Sequence, residues 1–278
     1  MKVAVVLGIN NDSQYLREYV QHYLSIGVDT LIMFDNNDTD GDDPRPVLEE
    51  FKHNIILIDK RGDKSRNRQW SYYTEALIKY KREDDWMCFF DNDEFLFLNK
   101  HKSIKHWLSM PFFKDVDCIH VNWKMYGDNG WLYPAPELST FEQFKHPCPL
   151  DLKAVYPFPH NNHVKTIVHC TQKPIYFSHP HICYTTNGSL IAVNASGKRC
   201  DSNSPFCPYD FEYAELRHYQ LRSTLEFCQK RLGRGPMRFD GSIVNAKQEI
   251  EWYFMYNKRT PEKEELIKKY CKENNIRL

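Results

Sequence analysis

Apolar positions in the first hundred residues fall into two alternating patterns. Short aliphatic runs, Val3 to Leu7, Thr30 to Phe34 and Ile55 to Ile58, read as buried strands. Between them the apolar residues recur at three-and-four spacing. Tyr15, Leu16, Tyr19, Val20, Tyr23 and Leu24 predict an amphipathic helix that ends at Gly27, with turn and N-cap chemistry in Asn10-Asn11-Asp12-Ser13. Val47 to Phe51 predicts a short helix. Arg66 to Tyr80 predicts a second amphipathic helix with Trp70, Tyr73, Leu77 and Tyr80 on one stripe. Strand and helix alternate from residue 3 to about residue 98, the pattern of a parallel, Rossmann-like sheet.

Beyond that point Ile104 to Leu108 reads as a short helix and Cys118 to Val121 as a strand. From Trp123 to about Ser204 helical periodicity vanishes, and Pro, His, Asn and aromatic residues dominate. Ala214 to Leu278 reads as a helical tail with charged faces. No repeat or linker interrupts the chain. The expected organisation is one α/β domain over 1–278. Residues 1–100 would be a first, ligand-binding half, 101–235 a second half that shapes the ligand site, and 236–278 a helical tail.

Composition narrows the function classes. At 278 residues the chain can bury a sizeable core. Its 37 basic and 37 acidic residues cancel, and no basic stripe stands out, which argues against nucleic acid. No apolar run is long enough to span a bilayer, and Val3 to Leu7 is too short for a signal sequence. A cytoplasmic protein is expected, with peripheral membrane association as the other option. The nine cysteines are odd in number and contain no Cys-x-x-Cys pair, so a disulfide framework is not expected. Cys200 and Cys207 flank a Ser- and Pro-rich loop and are the one pair placed to approach each other.

The densest chemistry lies in Trp86-Met87-Cys88-Phe89-Phe90-Asp91-Asn92-Asp93-Glu94-Phe95-Leu96. The apolar flanks read as a buried strand, and carboxylates on such a strand need a cation or hydrogen-bond donors. The end of the strand, over the crevice of an α/β sheet, would supply both. On a regular strand Asp91 and Asp93 share one face and Asn92 points the other way. Two hard oxygen donors on one face suit Mg2+ or Mn2+ bridging to a diphosphate. The competing reading is an acidic turn that caps a helix. Arg66, at the start of the second long helix, has both charge and free backbone N–H groups to offer a phosphate.

Several motifs in order resemble the GT-A glycosyltransferases of the family 2-like and family 92-like type. They are Asn11-Asp12-x-x-Tyr15-Leu16-Arg17-Glu18 with His22, Phe34-Asp35-Asn36, and Phe90-Asp91-Asn92-Asp93-Glu94-Phe95. Trp123-Lys124-Met125-Tyr126-Gly127, Lys165-Thr166-Ile167-Val168 and His218-Tyr219-x-x-Arg222-Ser223 follow. Asp12 and Arg222 depart from the family's usual Glu and Lys without changing charge. The resemblance implies a GT-A fold, a mostly parallel mixed sheet flanked by helices. It also implies a metal-dependent transfer of sugar from a nucleotide-sugar donor to a glycan, glycolipid or glycoprotein hydroxyl. A UDP-sugar, galactose first, and an inverting course are the expectations.

In the family's terms, Asp93 would ligate Mn2+ or Mg2+, and Asp91 would reach the metal through water or hold ribose or sugar hydroxyls. His218 would be a further metal ligand, against the alternative of a packed core histidine. Ile9, Asn10, Asn11 and Asp35 would hold base and ribose, with Arg66, Asn92 and Lys165 also on the donor side. Lys165 has a second reading, a simple pair on a strand. For the base that takes the acceptor proton, Asp128 leads, ahead of Glu137, Asp210, Glu212 and Glu215. Asp128 also adjoins Asn129-Gly130-Trp131, a composition suited to stacking on sugars.

Other readings fit less well. Asn36-Asn37-Asp38-Thr39-Asp40-Gly41 starts like a calcium loop, but Val47 stands where the bidentate Glu belongs. His179, His181 and Cys183 alternate in a way that suits zinc, yet no second cluster completes a site, so core or acceptor-site roles are favoured. A nucleotidyltransferase would carry a Gly-rich basic loop after the first strand, and this chain does not. A non-catalytic scaffold of the same fold is the remaining alternative.

Overall fold

The computed structural model describes residues 1–82, 85–150, 160–233 and 245–278. The first half follows the alternation read from the sequence. Strand β1 (Val3–Ile9), helix α1 (Ser13–Ser25), β2 (Thr30–Asp35), α2 (Arg45–Leu48), β3 (Ile55–Asp59) and α3 (Arg68–Tyr80) succeed one another. Then come β4 (Trp86–Phe89), β5 (Glu94–Leu98), α4 (Ile104–Leu108), β6 (Cys118–Met125) and α5 (Thr140–Gln143). Strands β7 (Val164–His169), β8 (Ile175–Phe177), β9 (Cys183–Thr185), β10 (Ala192–Asn194) and β11 (Ala214–His218) follow. Helices α6 (Thr224–Phe227), α7 (Ala246–Tyr256) and α8 (Pro261–Glu273) complete the order.

Helix α1 buries Leu16, Tyr19, Val20 and Tyr23, the stripe its spacing predicts. It stops where Gly27 turns left-handed at φ +96°. There the Val28 N–H bonds Tyr23 O and the Gly27 N–H bonds Leu24 O, so two otherwise orphaned carbonyls are satisfied. Helix α3 buries Tyr72, Tyr73, Ala76 and Leu77, while Trp70 and Tyr80 pack at the margin of the same core.

Contacts divide the chain into two compact units. One comprises Met1–Trp123 and Asn161–Arg217, the other Lys124–His160 and His218–Leu278. These divisions differ from those expected near residues 100 and 235, and the second of those lies outside the described residues. The first unit is built on a mixed sheet with strand order β3-β2-β1-β4-β7-β6-β11-β5, and β10 pairs with β6. The four strands β3, β2, β1 and β4 run parallel. Strand β7 enters antiparallel between β4 and β6. The α/β class with a mostly parallel mixed sheet is therefore as expected.

Two sequence expectations are corrected. Ala214–His218 is a strand rather than part of a helical tail; five residues are too few for helical periodicity to discriminate. The run from Trp86 to Leu96 is also not one strand. It breaks after Phe89, and β4 and β5 occupy different places in the sheet. Asp91, Asn92 and Asp93 lie in the turn between them, so strand alternation does not set their directions. Glu94 makes that turn: its carboxylate accepts the Asp91 N–H at 2.8 Å, while its own N–H bonds Asp91 O at 3.0 Å.

In the second unit α6 begins with a capping box, in which Ser223 and Glu226 satisfy each other's backbone N–H groups. Helices α7 and α8 start on Asn245 and Thr260, each accepting from the first turn. Among the described residues no helix is long and apolar enough to cross a membrane.

Candidate functional site

The carboxyl ends of β1 and β2 are tied into one polar shelf. Ile9 and Asp35 are register partners at those ends. The Asn36 N–H donates to Ile9 O at 3.0 Å, and Asn10 Nδ2 donates to Asn36 O at 2.6 Å. Asn11, left-handed at φ 55°, donates its N–H to Asn37 Oδ1 at 2.6 Å. Asn tolerates that conformation better than most side chains. Asp35 is buried, and its Oδ1 accepts both the Asn37 N–H and Asn37 Nδ2. Four of the expected donor-side residues, Ile9, Asn10, Asn11 and Asp35, thus stand together in the first unit.

The acidic loop after β2 is organised by an arginine. Arg61 Nη2 donates to the carbonyls of Asp38, Thr39 and Gly41 at 2.9–3.3 Å, and its Nη1 lies 3.6 Å from Asp35 Oδ2. The guanidinium occupies the centre that a calcium reading of Asn36 to Gly41 would give to the ion. Sequence reasoning did not single out Arg61. Arg66 is exposed in the turn before α3. In the same turn Asp63 accepts from the Ser65 N–H at 2.8 Å and from Tyr72 OH at 2.7 Å, and these donors hold its carboxyl below the usual range. Tyr72 in turn stacks on Phe34 with ring centroids 4.8 Å apart.

A second cluster surrounds Asp91. Lys165, the second residue of β7, is almost wholly buried, and its Nζ lies 2.9 Å from Asp91 Oδ2 and 3.7 Å from Glu94 Oε2. Burial pulls the Lys165 ammonium down, but Asp91 and Glu94 outweigh it and the pKa stands raised. Burial likewise pushes Glu94 up while Lys165 pulls it back. Asp91 Oδ1 accepts from Gln69 Nε2 at 2.7 Å and Tyr73 OH at 3.1 Å. Gln69 and Tyr73 are four apart on α3 and therefore share a face. Trp123 Nε1 donates to Glu94 Oε1 at 2.7 Å. The Asp91 side chain nevertheless remains 34% exposed, against 1% for Lys165 and 0% for Glu94.

Of the two readings of Lys165, the geometry favours the pair: its ammonium serves two carboxylates. Glu94, Trp123, Gln69 and Tyr73 were not selected from sequence. Glu94 was visible as the third acid of the motif, and Trp123 opened a recognised segment. Asn92 and Asp93 are both buried in the turn.

Asp128 and His218 belong to the second unit. Asp128 is buried, and its Oδ2 receives Lys263 Nζ at 2.6 Å together with a short hydrogen bond from Tyr253 OH. Its Oδ1 accepts the Gly130 N–H at 2.8 Å. Burial and the Asp128 charge push the Tyr253 phenol up. His218 closes β11, buried, and its carbonyl accepts the Tyr126 N–H at 3.1 Å. Among the other carboxylates considered for proton transfer, Asp210, Glu212 and Glu215 pair with Lys198, Lys100 and Arg217, and Glu137 is exposed. His181 packs with Trp123 and meets Val164 O through Nδ1 at 2.8 Å, a core role. Among the described residues no three His, Cys, Asp or Glu side chains converge on a metal position.

Residues 3–127 match the model of glycosyltransferase family 92. The resemblance read from the motifs is borne out over that stretch. A family 92 protein of Arabidopsis thaliana is 26% identical over 124 residues, which are 42% of this chain and 20% of the relative. Another, from Ricinus communis, is 25% identical over 92 residues, 33% of this chain and 16% of the relative. The chain thus matches a fifth or less of the length of these curated relatives. Among solved structures, S. aureus TarS 1–349 in complex with UDP-GlcNAc aligns with a TM-score of 0.43 at 12% identity, covering 98% of this chain and 72% of that one.

Proposed function

We propose that the chain is a glycosyltransferase that moves a sugar, galactose first, from a UDP-sugar to a hydroxyl of a glycan, glycolipid or glycoprotein, with inversion. What supports the reading is the Asp91–Lys165 pair at the end of β4, beside the β1–β2 shelf, within the stretch that matches family 92. Ligands of open α/β sheets sit at these strand ends.

The shelf of Ile9, Asn10, Asn11 and Asp35 would take base and ribose, and Arg66 the diphosphate. Asp91 would take a hydroxyl of the donor. An ionised carboxylate offers about four lone-pair sites. Gln69, Tyr73 and Lys165 use three of those on Asp91. One acceptor site is left on the exposed side, enough to fix one sugar or ribose hydroxyl. Lys165 and Glu94 act as positioning groups that hold Asp91 in that orientation. Asn92 would line the same turn.

The Mn2+ or Mg2+ that the family implies fits these residues only in part. Asp91 does not fit as a direct ligand, because an ammonium already sits on its Oδ2. Asp93 is the residue of this turn that would hold the ion, and a bound ion would offset charge on the leaving diphosphate; His218, the other expected ligand, belongs to the second unit. Asp128 is poorly suited to be the proton-accepting base, because it is buried and Lys263, Tyr253 and Gly130 take three of its acceptor sites. That network instead fixes the loop that carries Trp131 and Tyr133, both exposed and suited to stacking on an acceptor sugar.

The test is thermal unfolding with UDP, GDP, CMP and ADP, each with Mn2+ or EDTA, on the wild type and Asp91→Asn, followed by UDP-sugar hydrolysis. A ligand held only by the native state raises Tm by mass action. Selective stabilisation by UDP, weakened in the variant, together with hydrolysis of UDP-galactose, supports the reading. No shift with any nucleotide overturns it in favour of a non-catalytic scaffold.

A further inference from the structure

Nine cysteines are spread along the chain, and eight of them are buried. Cys200 alone is partly exposed; its thiol donates to Lys198 O at 3.8 Å and packs on the apolar patch that contains Cys207. The two meet because the segment between them is pinned at both ends. The Cys200 N–H bonds Ala192 O on β10 at 3.0 Å. The Cys207 N–H bonds Asn162 O at 2.9 Å, and Asn122 Nδ2 donates to Cys207 O at 2.8 Å. Both cysteines pack on one apolar patch with Val164, Ile182 and Tyr184. In the middle, Pro205 O accepts the Val164 N–H at 3.1 Å, and Phe206 bridges to His163.

The neighbouring groups decide what such a pair can do. Cys118 and Cys183 form a second thiol contact nearby, and both are fully buried. Cys118 Sγ also lies 4.0 Å from His120 Nε2. Four thiols and an imidazole in one region suggest zinc, but no three of these groups converge among the described residues. The arrangement is two separate pairs, of which one is reachable from solvent through Cys200.

We propose that Cys200 and Cys207 form an oxidisable dithiol that closes to a disulfide with a small-molecule disulfide such as oxidised glutathione. Cys207 is the more thiolate-like partner: the neighbouring Cys200 thiol, and after it His120, hold its pKa below the usual range against the opposing effect of burial. The two protein thiols lose two electrons and two protons, the S–S bond forms between them, and the oxidant leaves as two thiols. The bond would close the 200–207 loop that braces Val164, one residue before Lys165.

The test uses the whole reduced protein in its native state. Incubation with oxidised glutathione should remove two of the nine thiols and lower the intact mass by about 2 Da. Peptide mapping should join Cys200 to Cys207, and Tm should rise by roughly 5 °C. Cys200→Ser and Cys207→Ala should each abolish the intramolecular bond. Three results overturn the proposal: a stable mixed disulfide on Cys200 with no further step, a bond between Cys118 and Cys183 instead, or no reaction at all. Stoichiometric Zn2+ in the purified protein, released when thiols are blocked, also overturns it, since the pairs would then be metal ligands.

Discussion

Each unit of the molecule contains a lysine–aspartate pair with a buried ammonium, and the two pairs are used differently. In the second unit Asp128 and Lys263 are both 3% exposed, and Tyr253, Gly130 and Lys258 take up their remaining hydrogen bonds. In the first unit Lys165 is equally buried, but its partner Asp91 is 34% exposed. A closed pair presents no exposed oxygen to a ligand, and its desolvation cancels much of its attraction, so it specifies a conformation more than it adds stability. A pair with one open carboxylate keeps an oriented acceptor at the surface. Identical chemistry is closed off in one place and, in the proposed reading, open to a ligand in the other, and exposure of the carboxylate makes the difference.

Lys165→Met is expected to have the largest effect. It leaves both Asp91 and the fully buried Glu94 without their cation, and removing one partner of a buried pair costs ~3–5 kcal/mol. Denaturant titration should show that loss, and UDP-dependent stabilisation should vanish with it. Lys263→Met strands only Asp128 and sits at the lower end of the same range, ~3 kcal/mol. Its signature should differ: lower stability, with UDP still able to raise Tm. If instead Lys263→Met abolished the UDP response and Lys165→Met spared it, the open and closed roles would be reversed.

The sequence made some of this legible. The alternation of strand and helix up to β4 followed from apolar spacing, because α1 and α3 each bury one stripe and the parallel strands are continuous apolar runs. The shelf residues Asn10, Asn11 and Asp35 were placed by their position at strand ends. The turn at Asp91–Asp93 was legible only as the competing reading, because the apolar runs on both sides favoured one continuous strand over the turn chemistry of Asp-Asn-Asp. It depends on Glu94 folding back onto the Asp91 N–H, and on β5 pairing far from β4. Partners distant in sequence were equally hidden. Trp123 on Glu94, Lys263 on Asp128 and Arg61 on the acidic loop are set by tertiary packing, which no spacing rule encodes.

A pH experiment separates the sheet's structural groups from its open carboxylate. His22 Nε2 donates to Leu96 O at 2.8 Å, and burial lowers its pKa to about 4, with Arg217 adding to the shift. The unfolded chain would protonate near pH 6.5. Between those values the unfolded state binds more protons, so stability falls as the pH drops from about 6.5 to about 4. The total is about 3 kcal/mol. Chemical denaturation at pH 7 and at pH 4.5 should reveal the loss, and His22→Gln, which keeps a donor for Leu96 O, should flatten that part of the profile. An unchanged slope in the variant would place the acid sensitivity elsewhere.

The smallest expected effect tests how Glu94 is held. Trp123 Nε1 donates to Glu94 Oε1, while the indole ring stacks on His163 at 5.0 Å. Trp123→Phe keeps an aromatic face for that stack and removes the donor, leaving Oε1 of a fully buried carboxylate with one partner fewer. Such a group costs ~1–3 kcal/mol. The denaturation midpoint should fall with the m-value unchanged, because the exposed area on unfolding is nearly the same. Glu94→Gln combined with Trp123→Phe should lose less than the sum of the single changes, since both act on one hydrogen bond. Additive losses would mean that Trp123 stabilises the sheet by packing alone, and that Lys165 and the Asp91 N–H suffice to orient Glu94 and, through it, the open carboxylate.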